Sequence, residues 1–402
     1  MSAIDKWQNI EDVRRAARRH AHRIVYEYID GGADDEETMR RNVSDFDDYA
    51  LMHRVLVDVS DVDTSTTVFG ERVSHPFFFS PSASNRLFHP EGEAAVARVA
   101  AESGIAYSLS TLSSVTIEDI AAIGPSPRWF QVYAFKDRGL VRELIGRAKA
   151  AGYTALLLTV DHPFSGNRER DKRSGFSVPP RIGVRQALDA LARPAWLWEH
   201  LRSPPVAFAN IASTTDAHTL AEFVQRKLRA DFTWDDAEWL LGEWGGMAVI
   251  KGVLHPLDAR RAISTGFGGV MVSNHGGRQL DGAASPISAL RPVLDAVAGD
   301  VDVVLDGGIR RGKHVMKAIA MGAKAVSFAR PYLYGLCAAG TPGVRRATEI
   351  LVNEFKLDMA LAGVRTVAEI DATLLMNGGR ARQQQEAPAA GPAEAVEAVP
   401  AI

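Results

Sequence analysis

The side chains best suited to chemistry lie in the stretch SNHGGRQLDG, residues 273–282. A turn after a buried strand needs a glycine and at most an asparagine. His275 and Arg278, three residues apart, therefore ask for another explanation. An imidazole is a base near neutral pH when a partner orients its second nitrogen. A guanidinium grips a carboxylate through paired hydrogen bonds. Together they would fix a small acid so that the imidazole faces the carbon beside its carboxylate. The plain alternative is a loop in which His275 caps a helix and Arg278 pairs with Asp281. Asp161, just past another apolar run, is the candidate partner for His275. Lys251 closes the apolar run of VIKGV, where an ammonium is costly unless a negative charge or strong acceptor meets it. Such a lysine forms a Schiff base or stabilises the anionic edge of a reduced cofactor.

These groups need a scaffold that brings distant segments together. Eight short apolar runs supply one, at 76–80, 106–110, 129–133, 154–160, 247–251, 269–273, 301–306 and 325–329. Most are separated by alanine-rich amphipathic stretches, the pattern of a parallel sheet covered on both faces. Eight units predict an α/β fold of the (β/α)8 TIM-barrel type, whose chemistry sits at the carboxyl ends of the strands. Every such end here is polar. In order they offer Pro81-Ser82-Ala83, Ser110, Gln131 with Tyr133, Thr159 with Asp161, and Lys251. Ser273 with His275 and Arg278 follows, then Asp306-Gly307-Gly308 with Arg310, and last Ala329-Arg330. The glycines and arginines of the last two ends predict a phosphate site, since adjacent loops there converge. A mononucleotide cofactor fits that reading, with flavin and pyridoxal both open.

The rest of the chain frames this barrel. With 402 residues, 46% apolar and 24% charged, it has the balance of a soluble globular protein. A net charge of −3 gives no general attraction to nucleic acid. Residues 1–70 are expected to form a helical cap, 71–378 the barrel, and 379–402 a disordered tail too poor in apolar residues to fold. Between the fourth and fifth strands, about 170–245, lies more chain than one helix requires, rich in tryptophan and proline. It reads either as a loop packed on itself or as a lid or contact patch for an acceptor, a subunit or a membrane. One cysteine and an N-terminal stretch without an apolar core lead to the expectation of a cytoplasmic protein, with contact to the inner face of the cell membrane left open. No metal site is expected.

SNHGGRQLDG resembles the active-site signature of the FMN-dependent L-2-hydroxy acid dehydrogenases and oxidases, the family of glycolate oxidase, L-lactate dehydrogenase and (S)-mandelate dehydrogenase. The resemblance extends to VYEYIDGGADDEETMRRN, HPEGE, WFQVYAFKDR, LTVDHPFSGNRERD, VIKGVL and LDGGIRRGKHVMKAIAMGA, nearly the whole chain to about residue 375. It implies bound FMN and oxidation of a small (S)-2-hydroxy acid, lactate- or mandelate-like, to the 2-oxo acid. His275 would be the base and Asp161 the group that stabilises its protonated form. Arg278 and Arg168 would bind the substrate carboxylate, with Tyr28 and Tyr133 at the carboxylate and hydroxyl. Lys251 would meet negative charge at the flavin N1 and O2 edge. Ser110, Gln131, Thr159 and the Pro81–Ala83 backbone would contact the ring, with Ser273 also at the cofactor. Asp306 to Arg310, Ala329 and Arg330 would hold the ribityl chain and phosphate. Leu112 stands where glycolate oxidase has a tryptophan, which implies a different side-chain pocket. Ala329 stands where the family usually has glycine and would crowd the phosphate slightly. The insertion is most similar to that of the bacterial lactate and mandelate dehydrogenases, which implies a quinone acceptor. An oxidase or monooxygenase using oxygen directly is the nearest rival, and a non-redox FMN isomerase a more distant one. The resemblance also implies a homo-oligomer, commonly a tetramer.

Overall fold

A computed structural model describes residues 4–176, 184–203, 206–211 and 229–377. The strands in chain order are β1 (Tyr49–Leu51), β2 (Thr66–Val68), β3 (Glu71–Val73), β4 (Phe77–Phe79), β5 (Tyr107–Ser110) and β6 (Arg128–Tyr133). They continue with β7 (Ala155–Thr159), β8 (Met247–Val253), β9 (Gly269–Ser273), β10 (Asp302–Asp306), β11 (Ala325–Phe328) and β12 (Leu375–Asn377). Strands β4 to β11 are the eight expected from the sequence. They pair in chain order, all parallel, and β11 returns to β4 to close the barrel. No strand of the barrel is left with an open edge, so each can be apolar on both faces.

Side chains alternate across a strand, and this period of two divides the barrel interior into layers. Phe78, Trp129, Leu157, Val249, Met271 and Val304 share one buried cluster that fills the lower barrel. The hairpin β2–β3 plugs that end. Its two-residue turn, Phe69 and Gly70, is left-handed at both positions, and Phe69 meets the Trp129 ring edge-on with centroids 5.1 Å apart. Two residues further along the same strands, the inward positions become Ser80, Gln131, Thr159, Lys251, Ser273 and Asp306, joined by Ser110 and Ser327. Register makes them neighbours. Ser110 is opposite Gln131, Thr159 opposite Lys251, and Asp306 lies between Ser273 and Ser327. The upper barrel is thus a polar layer seated on an apolar plug.

The flanking segments depart in places from the expected divisions. Helices span Ile10–His20, Arg23–Asp30 and Glu37–Ser44. The cap is helical only that far, and the plug hairpin runs across residue 70. Strand β1 pairs antiparallel with β12, tying the cap region to the end of the described chain. The helix Trp234–Trp244 precedes β8 as an ordinary barrel helix, opened by a capping box between Thr233 and Asp236. The extra chain therefore ends near residue 233, not 245. Its described helices, Val184–Leu191 and Pro194–Leu201, pack on the cap. Arg193 donates to the Arg18 and Arg19 carbonyls, and Trp196 lies against His22 with ring centroids 5.1 Å apart. The expected tail, 379–402, lies outside the described residues.

Candidate active site

A cavity of about 520 Å³ opens above the polar layer, a size suited to a cofactor with a small substrate. Its floor is two hydrogen-bonded groups. In the first, the Ser110 hydroxyl donates to Gln131 Oε1 at 3.0 Å, and Gln131 Nε2 donates to the Thr159 hydroxyl at 3.0 Å. In the second, Asp306 accepts from the hydroxyls of Ser80, Ser273 and Ser327 at 2.9, 2.7 and 2.5 Å. Lys251 Nζ lies 2.8 Å from the same carboxylate and also donates to Ser273 at 3.0 Å. Burial alone would push the Asp306 carboxyl up, but the Lys251 charge and the serine donors outweigh it and hold it down at about 2. Burial likewise opposes the Lys251 charge, yet Asp306 and Asp161 keep its pKa above the ordinary lysine value. The lysine is therefore a permanent cation beneath the cavity.

His275 stands at the wall. Its Nδ1 lies 2.9 Å from Asp161 Oδ1. Burial lowers the His275 pKa, against the raising effect of Asp161, so the ring is a neutral base at neutral pH. Asp161 is held below its ordinary value because the His275 and Lys251 charges overcome burial. The backbone makes this pair possible. His275, Gly276 and Gly277 are all left-handed, with φ of 57°, 70° and 74°. A side chain at Gly277 would meet the Met39 backbone at 2.6 Å. The loop is pinned from below by a reciprocal amide pair, Asn274 with Asn42, at 2.7 and 2.8 Å. On the neighbouring strand Gly252 forms a bulge with φ 107°, and a Cβ there would lie 2.6 Å from Asp161 Cγ.

Four arginines face the cavity: Arg168, Arg278, Arg310 and Arg330. Among the described residues none of them is within ion-pair distance of a carboxylate, whereas most arginines elsewhere in the chain are paired. Arg278 donates to the Tyr28 and Gly31 carbonyls at 2.6 and 3.0 Å and lies 4.7 Å above the Tyr28 ring. It does not pair with Asp281, which instead accepts from the Glu37 and Thr38 backbone amides. Arg168 is lowered by burial and by the Arg278 charge, the mark of two cations sharing one space. At the other end Arg330 donates to the Ile29, Gly276 and Gly31 carbonyls, and burial lowers its pKa to about 10. Beside it Gly307 and Gly308 are left-handed, and a Cβ on Gly308 would collide with the Asn42 carbonyl at 1.8 Å. Ala329 has φ −110°, so its methyl carries no backbone strain.

Two groups of unpaired cations, one beside a base and one beside a glycine turn, call for two anions: a carboxylate and a phosphate. Between them lie a polar floor and a buried ammonium, which suit a flat ring that gains negative charge at one edge. FMN fits this donor set. Tyr28, Pro81, Ser82, Ala83, Leu112 and Tyr133 line the cavity as the sequence led us to expect. Ser110 and Ser273 do not. Each belongs to the floor layer itself, its hydroxyl committed to another floor residue. Sequence reasoning also missed Phe176, stacked on Tyr28 at 4.1 Å, and His162, although both lie beside residues it had singled out.

Comparison with known proteins agrees. The family model described as FMN-dependent dehydrogenase matches residues 17–377. The L-lactate dehydrogenase of Caulobacter vibrioides is 42% identical over 369 residues, 90% of this chain and 96% of that protein. That of Pseudomonas aeruginosa is 42% identical over 370 residues, covering 91% and 97%. Among solved structures, the monotopic membrane protein (S)-mandelate dehydrogenase superposes with a TM-score of 0.88 at 34% identity, covering 92% of this chain and all of that one. A mandelate oxidase superposes with a TM-score of 0.81 at 38% identity, covering 93% and 99%. The chain therefore belongs to the FMN-dependent dehydrogenase family and is an FMN-dependent oxidoreductase acting on 2-hydroxy acids.

Proposed function

We propose that this protein oxidises lactate- or mandelate-like (S)-2-hydroxy acids to 2-oxo acids and passes the electrons to a quinone. The observation that carries the chemistry is the His275–Asp161 pair beside two unpaired arginines. Arg278 and Arg168 hold the carboxylate, and Tyr28 and Tyr133 orient the acid around its hydroxyl. His275 Nε2, the nitrogen not held by Asp161, takes a proton from the acid, and Asp161 stabilises the imidazolium so formed. FMN, when bound, would supply the two-electron acceptor, and Lys251 would meet negative charge at the edge of its ring. Gln131, Thr159 and the Pro81–Ala83 backbone support the ring. Gly307, Gly308, Arg310 and Arg330 would hold the phosphate end, and Asp306, which lines the cavity beside them, anchors Lys251. Anaerobic bleaching of the purified flavoprotein by a panel of glycolate and (S)-lactate- and (S)-mandelate-type acids tests this reading. No bleaching by any of them contradicts it.

Peripheral contact with a membrane is favoured by the insertion. Leu188, Leu191, Trp198 and Leu201 are 63, 68, 59 and 72% exposed on its two helices, and Arg202 lies 4.3 Å over the Trp198 ring. An interfacial helix pairs exposed apolar side chains and tryptophan with arginine in this way. No helix among the described residues is long and apolar enough to cross a membrane, and the protein would be held at the membrane surface through this patch. The likeness to a monotopic neighbour supports this. Cosedimentation with anionic vesicles, lost in a Trp198→Glu/Leu201→Glu variant that still bleaches, is the expected result. Rapid peroxide formation in air would replace the quinone with oxygen as acceptor. A homotetramer is the expected assembly, to be measured by light scattering.

A further inference from the structure

His162 follows Asp161 on the loop after β7 and has no part in the chemistry assigned above. It is only 8% exposed, and it lines the cavity. Its ring stands edge-on to Tyr133, with centroids 5.6 Å apart and an interplanar angle of 62°. On its other side it is tilted against His275, with centroids 5.5 Å apart. It therefore sits between the two groups that surround the substrate hydroxyl. Nδ1 is buried with no hydrogen-bonding partner, which leaves Nε2 as the nitrogen open to the cavity. A proton on Nδ1 would be a buried donor with nothing to donate to, which costs more than an unused lone pair. The proton belongs on Nε2, where a ligand can receive it. Burial, then the charges of His275 and Arg168, push the His162 pKa down to about 3, so the ring stays neutral.

We propose that His162 is a further catalytic residue, whose Nε2–H donates to the C2 oxygen of the acid beside the Tyr133 hydroxyl. The inference rests on the functional reading above. In the reaction the C2–H and O–H bonds break and a second C–O bond forms. One hydrogen leaves as the proton taken by His275, and the other leaves together with the electron pair that reduces FMN. His162 neither gains nor loses a proton. Its hydrogen bond strengthens as the oxygen gains negative charge on the way to the carbonyl, the role of a fixed donor at a developing oxyanion. A charged imidazolium there would compete with Arg168 and Arg278 for the carboxylate, whereas a neutral ring discriminates in favour of the oxygen.

The test uses the FMN-loaded His162→Leu and His162→Gln variants and two kinds of non-reacting ligand. One is a 2-oxo acid, pyruvate or phenylglyoxylate, which carries the C2 oxygen. The other is propionate or phenylacetate, which lacks it. His162→Leu is expected to slow anaerobic flavin reduction by about 100-fold, the size of effect seen when one such donor is removed. It should weaken the 2-oxo acid about tenfold, the worth of one hydrogen bond to a partly charged acceptor, and leave the deoxy acid within about twofold. His162→Gln, which keeps an N–H, should recover part of both losses. Equal weakening of the two ligands, or flavin reduction within about threefold of wild type, overturns the proposal. If His162→Leu does not fold, the same ligand pair is measured on His162→Phe, which also lacks the donor, and no change in their ratio overturns the proposal. Wild-type flavin that no 2-hydroxy acid bleaches overturns the functional reading instead, and the ligand pair still reports on the His162 contact.

Discussion

Replacing Asp161 by asparagine removes one charge from the centre of the site and almost nothing else. The carboxylate meets His275 Nδ1 at 2.9 Å, and its second oxygen is buried without a hydrogen-bonding partner. Its one side-chain hydrogen bond is therefore to the imidazole. When His275 takes its proton, the pair becomes ionic at a charge separation of roughly 4 Å. At an effective dielectric constant of about 20 that attraction is worth about 4 kcal/mol. An asparagine that still accepts from Nδ1 keeps part of it, so a net loss of about 3–4 kcal/mol is expected, or roughly 200- to 1,000-fold in rate. If the amide instead turns its NH2 toward the ring, it selects the wrong tautomer and the loss is at least as large. The measurement is anaerobic stopped-flow reduction of the bound flavin at saturating acid, with flavin content checked by absorbance. The variant should bind FMN normally, because Asp161 touches only protein. Reduction within about threefold of wild type would refute the reasoning. So would a slow variant whose loss is fully explained by missing flavin.

Three further outcomes follow from the same geometry. Gly252→Ala puts a methyl 2.6 Å from Asp161 Cβ and Cγ at a φ of 107°, which should displace the aspartate and slow flavin reduction about 100-fold, whereas an inert Gly252 would leave the rate unchanged. Lys251→Met leaves the Asp306 carboxylate buried with serine donors and no cation, at a cost of about 3–5 kcal/mol, so Tm should fall sharply. Adding Asp306→Asn should restore much of the Tm but not the flavin reduction, because the ammonium at the ring edge is still missing. The pH dependence has a definite sign. Burial places the His275 pKa below its ordinary value of 6.5, and the unprotonated ring is the active form. kcat/KM should therefore rise with pH along an acid limb centred below 6.5 and be flat by about pH 7, and a limb centred above 6.5 would contradict the burial argument.

The barrel was legible because its strands advertise themselves. Runs such as LLLTV and VVLD are apolar on both faces, and only a covered parallel sheet uses them that way. The polar strand ends were legible for the same reason: charge at the end of such a run is conspicuous. What these ends do to one another was not. A sequence without register could place Asp306 at the cofactor end, where it lines the cavity, but not beside Lys251, Ser80, Ser273 and Ser327. That the Ser110 and Ser273 hydroxyls are committed to Gln131 and Asp306 could not be read either, because it depends on which strand end lies alongside. The plug hairpin escaped notice because three-residue strands carry no period. The end of the insertion could have been placed correctly, since Thr233 followed three residues later by Asp236 marks a helix start. Tyr28 and Arg168 stood out only through family resemblance. No local pattern brings a cap tyrosine and a loop arginine together with Arg278, 250 and 110 residues further along the chain.

The central claim is that a neutral His275, oriented by Asp161 and facing an acid held by Arg278 and Arg168, carries the proton chemistry of the oxidation. The most direct test compares wild type and His275→Ala, both loaded with FMN, mixed anaerobically with the (S) and (R) forms of the best acid. The account predicts that wild-type flavin bleaches rapidly with the (S) acid and not with the (R) acid. The variant should retain its flavin and still bind the 2-oxo acid, yet lose nearly all bleaching. Near-normal flavin reduction in His275→Ala would contradict it.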